Sequence, residues 1–203
     1  MLQVNRIALL GCLVLALAYG SHGGGRDLRW MLEDALYEEF VPLFEPNVVG
    51  PVEMTRALEA YHAGDFAYAV YYFDKARDLM LPDGDLDFVM FALAESYRML
   101  GLGKMALRVY HDLVNRFPES EKCAPAVFRA IEYAYEERDI EAADSLFAEF
   151  HRKHRSHPLY TSVLYVMGKA YYQFGRFSEA GQLLGSIPKG SSRYVQGQFL
   201  AVL

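Results

Sequence analysis

Cysteine is almost absent from this chain, whose 203 residues include only two, Cys12 and Cys123. Two cysteines cannot form the several disulfides that staple small secreted folds, nor a zinc site made of four cysteines. An excess of positive charge is also lacking, since 26 acidic residues outnumber 20 basic ones and give a formal net charge of -6. Nucleic-acid binding depends on a positive field, so this composition argues against a nucleic-acid binder.

Long hydrophobic runs are missing as well. The segment 7–18 (IALLGCLVLALA) has twelve apolar or small residues, which is too short to span a bilayer and is typical of a signal-peptide core. Arg6 precedes it, and small residues at Ala16, Ala18 and Gly20 offer cleavage positions. We therefore predict a signal peptide over residues 1–20 and export to the periplasm or cell envelope.

Two alternatives to a signal peptide removed after Ala18 or Gly20 remain. An uncleaved N-terminus would associate the protein with the envelope membrane as an anchor. Leu9-Leu10-Gly11-Cys12 also resembles a lipoprotein processing motif, although it falls in the middle of the apolar run. Removal of residues 1–20 would leave 19 basic and 26 acidic residues, a net charge of -7.

The most informative feature present is an internal repeat of 37 residues. Small residues recur at this spacing, where two helices of a pair would cross closely: Ala69, Ala106, Ala143 and Ala180. Five residues earlier the chain has the residues Gly64, Gly101, Arg138 and Gly175. Glycine suits a helix end that enters the left-handed region, so Arg138 is expected to be strained or to turn differently.

Each of these turns is flanked by runs with apolar residues three and four apart, which is typical of amphipathic helices. Prolines follow each second run, at Pro82, Pro118, Pro158 and Pro188, where one helix must end before the next begins. The spacing thus predicts four antiparallel helix pairs.

The repeat unit resembles the tetratricopeptide repeat family, whose pattern is W-x2-L-G-x2-Y, then A-x3-F, then P. Two units match well, and their matching residues are Leu93, Ala94, Tyr97, Gly101, Ala106, Tyr110 and Pro118 in one, and Met167, Gly168, Tyr171, Gly175, Phe177, Ala180 and Leu184 in the other. The unit from Ala57 to Phe73 is a fair match, whereas the third unit departs at Ile131 and Arg138.

This resemblance implies an all-α, right-handed α-solenoid of antiparallel helix pairs, with about four repeats plus a partial fifth, over residues 53–203. Residues 21–52 are predicted to hold an amphipathic helix at 26–40 and a proline-rich linker at 41–52. The chain ends on an apolar pentapeptide, whereas terminal repeats normally present a polar face. We therefore expect it to be a fragment of a longer array.

In this family the first helices line a concave groove that binds a protein or peptide. The equivalent positions here form the predicted partner-binding set, about a third of which we expect to be buried between repeats. It comprises Met54, Leu58, Tyr61, His62, Phe91, Glu95, Arg98, Met99, Phe128, Glu132, Tyr135, Glu136, Tyr165, Lys169, Tyr172 and Gln173. The expected anchors are its larger aromatic and arginine members, Tyr61, Phe91, Arg98, Tyr135, Tyr165 and Tyr172.

Signs of catalysis or cofactor binding are weak. The histidines of HRKHRSH, namely His151, His154 and His157, are predicted to continue round a basic helix end rather than to bind metal. No phosphate-binding loop, nucleophile elbow or zinc-peptidase motif occurs. We expect no enzyme activity, no cofactor and no small-molecule substrate.

The sequence therefore predicts a non-catalytic interaction scaffold of the bacterial cell envelope. In this it is similar to tetratricopeptide proteins of the outer-membrane assembly lipoprotein and cell-division coordinator types. The alternative is a recruiting or regulatory module of a longer enzyme whose catalytic domain lies beyond Leu203.

Overall fold

A computed structural model describes residues 52–79 and 85–201 of the chain. The predicted signal peptide, the predicted helix at 26–40 and the linker up to residue 51 lie outside the described residues, as does Pro82. In the described part, no helix is both long and apolar enough to cross a membrane.

Those residues form nine helices and no strand. The helices are α1 (Val52–His62), α2 (Phe66–Leu79), α3 (Leu86–Met99), α4 (Gly103–Arg116), α5 (Cys123–Glu136), α6 (Ile140–Lys153), α7 (Tyr160–Gln173), α8 (Phe177–Gly185) and α9 (Tyr194–Ala201). Each helix packs against the next one along the chain, so that four pairs follow one another and α9 begins a fifth. This confirms the predicted all-α array of helix pairs, consistent with a tetratricopeptide-like solenoid.

The turn inside each pair has the same backbone conformation. Gly64, Gly101 and Gly175 have φ values of 77°, 73° and 74°, and Arg138 has 58°. After each of them, the next backbone N–H reaches back five residues to a carbonyl oxygen, at 2.8–2.9 Å in all four turns. This is the Schellman arrangement of a helix C-terminus. Of the two outcomes expected at Arg138, the structure shows the first: the residue keeps the common turn and is strained, because its side chain opposes the left-handed region.

The repeated alanines lie where the helices of a pair meet. Ala69, Ala106, Ala143 and Ala180 are all at most 2% exposed. On the first helices, Gly168 is buried beneath Leu184 of α8, and a Cβ at Gly168 would lie 2.5 Å from the Leu184 Cγ atom. Small residues at these places thus let two helix backbones approach closely.

The third pair departs from this pattern, as its sequence predicts. Ile131 occupies the small position of the first helix and is fully buried. Phe147, at the position of the buried Phe73 and Leu184, is only half-buried. Phe150 is fully buried, as are its equivalents Ala76, Leu113 and Ile187, but it is the only aromatic residue at that position. The larger Ile131 leaves less room at the crossing of this pair.

Candidate functional site

Side chains of the first helices form a continuous surface that crosses from one repeat to the next. We call the predicted partner-binding residues on α1, α3, α5 and α7 the first-helix strip. Arg129 of α5 reaches Glu95 of α3, with its Nε atom 3.1 Å from Oε1. Gln173 of α7 donates from Nε2 to the Tyr135 hydroxyl of α5 at 2.8 Å. These contacts place three successive first helices side by side.

Burial divides the strip into three groups. The buried members are Met54, Phe91, Glu95, Phe128, Tyr165 and Lys169. The half-buried members are Leu58, Tyr61, Glu132, Tyr135 and Tyr172. The exposed members are His62, Arg98, Met99, Glu136 and Gln173. Six of the sixteen are therefore buried, close to the expected third.

Two of the expected anchors are among the buried residues, which corrects their assignment. Phe91 is 2% exposed and its ring packs on Tyr110, with centroids 5.8 Å apart. Tyr165 is 3% exposed and lies between the cationic groups of Lys169 and Arg193, at 5.5 and 5.2 Å from its ring centroid. Phe91 thus packs α3 on α4, and Tyr165 packs on Arg193, the residue before α9. Tyr61, Arg98, Tyr135 and Tyr172 remain as candidate anchors that are at least partly exposed.

At the centre of the strip, Glu95 is completely buried and organises an ionic network. Arg98 donates to its Oε2 atom from Nε at 3.1 Å and from Nη2 at 2.9 Å. Arg129 donates to Oε1, and the Tyr110 hydroxyl from α4 donates to the same oxygen. A second carboxylate, that of Glu132, accepts from Arg129 Nη1 at 2.7 Å. Two arginines and two glutamates thus balance in charge.

The network shifts the proton affinities of its members. Burial, together with the Glu95 carboxylate, raises the pKa of the Tyr110 hydroxyl well above its usual range. Burial disfavours the charge on Arg129, but the Glu95 and Glu132 carboxylates outweigh it and raise the pKa of that guanidinium. Burial and Glu95 also raise the pKa of Tyr61 to about 12. At neutral pH both tyrosines are therefore hydrogen-bond donors.

Arg129 is a central residue that the family positions did not indicate. Arg129 does not occupy one of the groove-lining family positions from which the strip was chosen, and its side chain is only 11% exposed. A signal was present in the sequence, because the equivalent positions one period away on either side are the apolar residues Ala92 and Val166. An arginine where both neighbouring repeats have an apolar residue, three residues before Glu132, indicates a specific ionic partner.

The C-terminal end of the strip combines aromatic rings with a buried cation. Lys169 is 3% exposed, and its ammonium lies 5.2 Å from the centre of the Tyr135 ring. Tyr172 is half-buried and meets the Phe177 ring edge to face at 5.2 Å. The arrangement presents aromatic faces beside fixed charges, which suits contact with a peptide or protein surface.

The three histidines of HRKHRSH are placed differently from the prediction. Helix α6 ends at Lys153, so only His151 is helical. The loop then folds the His154 and His157 rings against Phe150, with centroids 5.4 and 6.4 Å from that ring. Among the residues that the structure describes, no three His, Cys, Asp or Glu side chains are grouped as a metal site.

Cys123, the first residue of α5, behaves as a packed side chain. It is 1% exposed, its Sγ atom donates to the Phe117 carbonyl at 3.0 Å, and burial raises the pKa of the thiol. A raised pKa lowers the thiolate fraction, on which nucleophilic reactivity depends.

Comparison with known families finds a match in the second helix pair. A family model described as tetratricopeptide repeat matches residues 88–120, which cover most of α3, all of α4 and the loop up to Ser120. No curated protein matches the chain. Tetratricopeptide repeats usually act as modules that bind proteins or peptides, so the match suggests a protein-protein interaction module in this part of the chain.

Proposed function

We propose that the protein is a non-catalytic scaffold of the cell envelope that binds a partner protein or peptide along the first-helix strip. The observation that carries this proposal is the joining of three successive first helices by direct side-chain contacts, Arg129 with Glu95 and Gln173 with Tyr135. Because these contacts fix the spacing between repeats, the exposed side chains between them form one surface of defined geometry.

The strip also has the chemistry of an interface. Arg98 is held on one side by two hydrogen bonds to buried Glu95, yet 39% of its side chain is exposed. A guanidinium fixed in this way loses little conformational entropy when a partner binds. Tyr61, Tyr135 and Tyr172 add partly exposed rings nearby, and tyrosine and arginine are the residue types that most often dominate interface energy.

The proposed location in the cell envelope is supported by the N-terminal sequence. The short apolar run at 7–18, with Arg6 before it, supports export to the periplasm or envelope. N-terminal sequencing of the protein from a periplasmic fraction should find a chain that begins after Ala18 or Gly20. Recovery of intact Met1 in the cytoplasm would contradict export and leave the binding proposal standing.

Binding is tested with purified protein as bait for envelope extract, followed by affinity measurements on the captured partner. Tyr135→Ala and Tyr172→Ala should each weaken binding by roughly 1 kcal/mol or more and leave the helical circular dichroism unchanged. The matched control is Lys75→Ala, an exposed change on the second helix α2. Loss of binding in the control but not in the two tyrosine variants would show that the partner uses the opposite face.

A further inference from the structure

A second exposed surface lies outside the strip, at the turns that join the first and second helices. In the second repeat the turn residues Leu100 and Leu102 are 40% and 47% exposed. In the fourth repeat Phe174 and Phe177 are 40% and 62% exposed. Large apolar side chains grouped on a surface, unlike isolated ones, mark sites of interaction.

The turns do not need two of these side chains, Leu100 and Phe174. Leu100 and Phe174 are equivalent, since each immediately precedes the left-handed residue of its turn. In the first and third repeats the same position holds Ala63 and Glu137, and all four turns keep the same hydrogen bonds. Leucine and phenylalanine at this position are therefore not explained by turn geometry, in contrast to Leu102, which occupies the position of the usual hydrophobic turn contact.

Between the two apolar turns, the third repeat presents an acidic one. Residues 137–141 (ERDIE), which follow the last strip residue of α5, contain three carboxylates and one arginine, and Glu137, Asp139 and Glu141 are all exposed. Asp139 is partly engaged, since its side chain accepts from the Ala142 N–H at 3.0 Å. From the second repeat to the fourth, the exposed turns are therefore apolar, then acidic, then apolar again. We call the surface formed by the second, third and fourth turns the turn edge.

Direct contacts make this edge continuous. The ring of Tyr133 in α5 packs on Gly103 so closely that it leaves no room for a Cβ there. Tyr133 lies four residues before Glu137 at the end of α5, so this contact links the second turn to the third. Tyr135 and Gln173 join α5 to α7 next to the fourth turn. The edge from the second to the fourth repeat is thus one surface.

We propose that the turn edge binds a protein segment with a basic stretch and one apolar side chain on each side of it. The carboxylates of the third turn select the positive centre, while Leu100 in one turn and Phe174 in the other receive the apolar residues. Neighbouring packed helices are about 10 Å apart, so turns two repeats apart are separated by on the order of 20 Å. An extended segment covers that distance in about six residues.

The proposal is tested by fluorescence anisotropy with the whole mature chain and two synthetic peptides. The probe peptide has leucines about six residues apart with lysines between them, and the control peptide has glutamates in place of the lysines. The protein should bind the lysine peptide, bind the glutamate peptide at least about tenfold more weakly, and lose affinity when salt is raised to about 0.5 M. Failure to bind the lysine peptide, or equal binding of both, would overturn the proposal.

Variants separate this edge from the first-helix strip. Leu100→Ser and Phe174→Ser should each weaken binding of the lysine peptide by roughly threefold to tenfold. Leu79→Ser is the matched control, because Leu79 is 61% exposed on α2, away from this edge, and should leave the affinity unchanged. If Tyr135→Ala and Tyr172→Ala abolish binding and the serine variants do not, the peptide lies on the strip. That result would refute the turn-edge site and support the proposed function.

Discussion

Glu95 in the second repeat and Arg129 in the third form an ion pair across the boundary between two repeats, with Nε 3.1 Å from Oε1. The carboxylate is 0% exposed, and Arg98 and Tyr110 supply its other hydrogen bonds. Each repeat of such an array contacts only its neighbours, so an ion pair of this kind couples two adjacent repeats.

Removal of the Glu95 carboxylate should therefore be among the most damaging single changes. Glu95→Ala leaves Arg129 buried without this partner, which typically costs about 3–5 kcal/mol of the free energy of unfolding. Urea unfolding followed by circular dichroism measures the loss. Glu119→Ala, an exposed change in the loop after α4, is the control and should alter stability by less than about 0.5 kcal/mol. Equal effects of the two variants would show that the network contributes nothing to stability.

Close helix crossing makes a second prediction. Ala106 and Ala180 are each 2% exposed, so Ala106→Leu or Ala180→Leu should overpack the crossing and destabilise the protein by about 1–3 kcal/mol. Ala148→Leu tests the same chemistry at an exposed site on α6 and should be nearly neutral. A melting temperature unchanged by both buried substitutions would mean that the helices do not cross at these alanines.

Glycine at position 168 gives a sharper form of the same test. Gly168→Ala places a methyl group 2.5 Å from the Leu184 Cγ atom, so the side chain or the helix must shift. We expect a net loss of about 1–3 kcal/mol even though alanine favours the helix by up to about 1 kcal/mol. Gly185→Ala is the matched control, because a Cβ there meets open space and should stabilise α8 slightly. Stabilisation by both changes would contradict the close approach of α7 and α8.

The turn at Arg138 makes the opposite prediction, a gain in stability. Its φ of 58° disfavours a side chain, so Arg138→Gly should stabilise the protein by about 1 kcal/mol. Gly101→Ala, at the equivalent turn with φ of 73°, should destabilise it by a similar amount. Thermal unfolding of both variants checks the pair, and a lower melting temperature for Arg138→Gly would refute the interpretation.

The features that follow from one repeat unit could be predicted from the sequence. The 37-residue period located the helix pairs, their turns and Arg138 as the exceptional turn residue, because each depends on local residue type and spacing. The contact of Arg129 with Glu95 could not be predicted in the same way, since it depends on how far one repeat is offset from the next. The burial of Phe91 against Tyr110 is a contact within one repeat, but it could not be predicted either, because the family position alone does not say which neighbouring side chain covers the ring.

The loop between α6 and α7 makes stability depend on pH. The His157 Nδ1 atom accepts a hydrogen bond from the Leu159 N–H at 3.2 Å, and protonation there would remove the acceptor. Burial lowers the pKa of His157, and burial together with His157 and Lys153, partly offset by Glu149, lowers the pKa of His154. An unfolded histidine titrates near about 6.5. As the pH falls below that value, the unfolded chain binds more protons than the folded one, so stability decreases until the lower folded pKa is passed.

A variant that cannot take up these protons should lose that part of the pH dependence. In the double variant His154→Gln and His157→Asn, the amide oxygen introduced at position 157 can still accept from the Leu159 N–H, so the loop is retained. Between about pH 7.5 and about pH 5.5, its melting temperature should fall less than that of the unaltered protein. His111→Gln, an exposed change on α4, controls for loss of a histidine elsewhere. Because carboxylates contribute the same slope to all three proteins, the difference between the slopes isolates the two loop histidines. An equal slope in the double variant and the unaltered protein would show that the folded loop does not oppose their protonation.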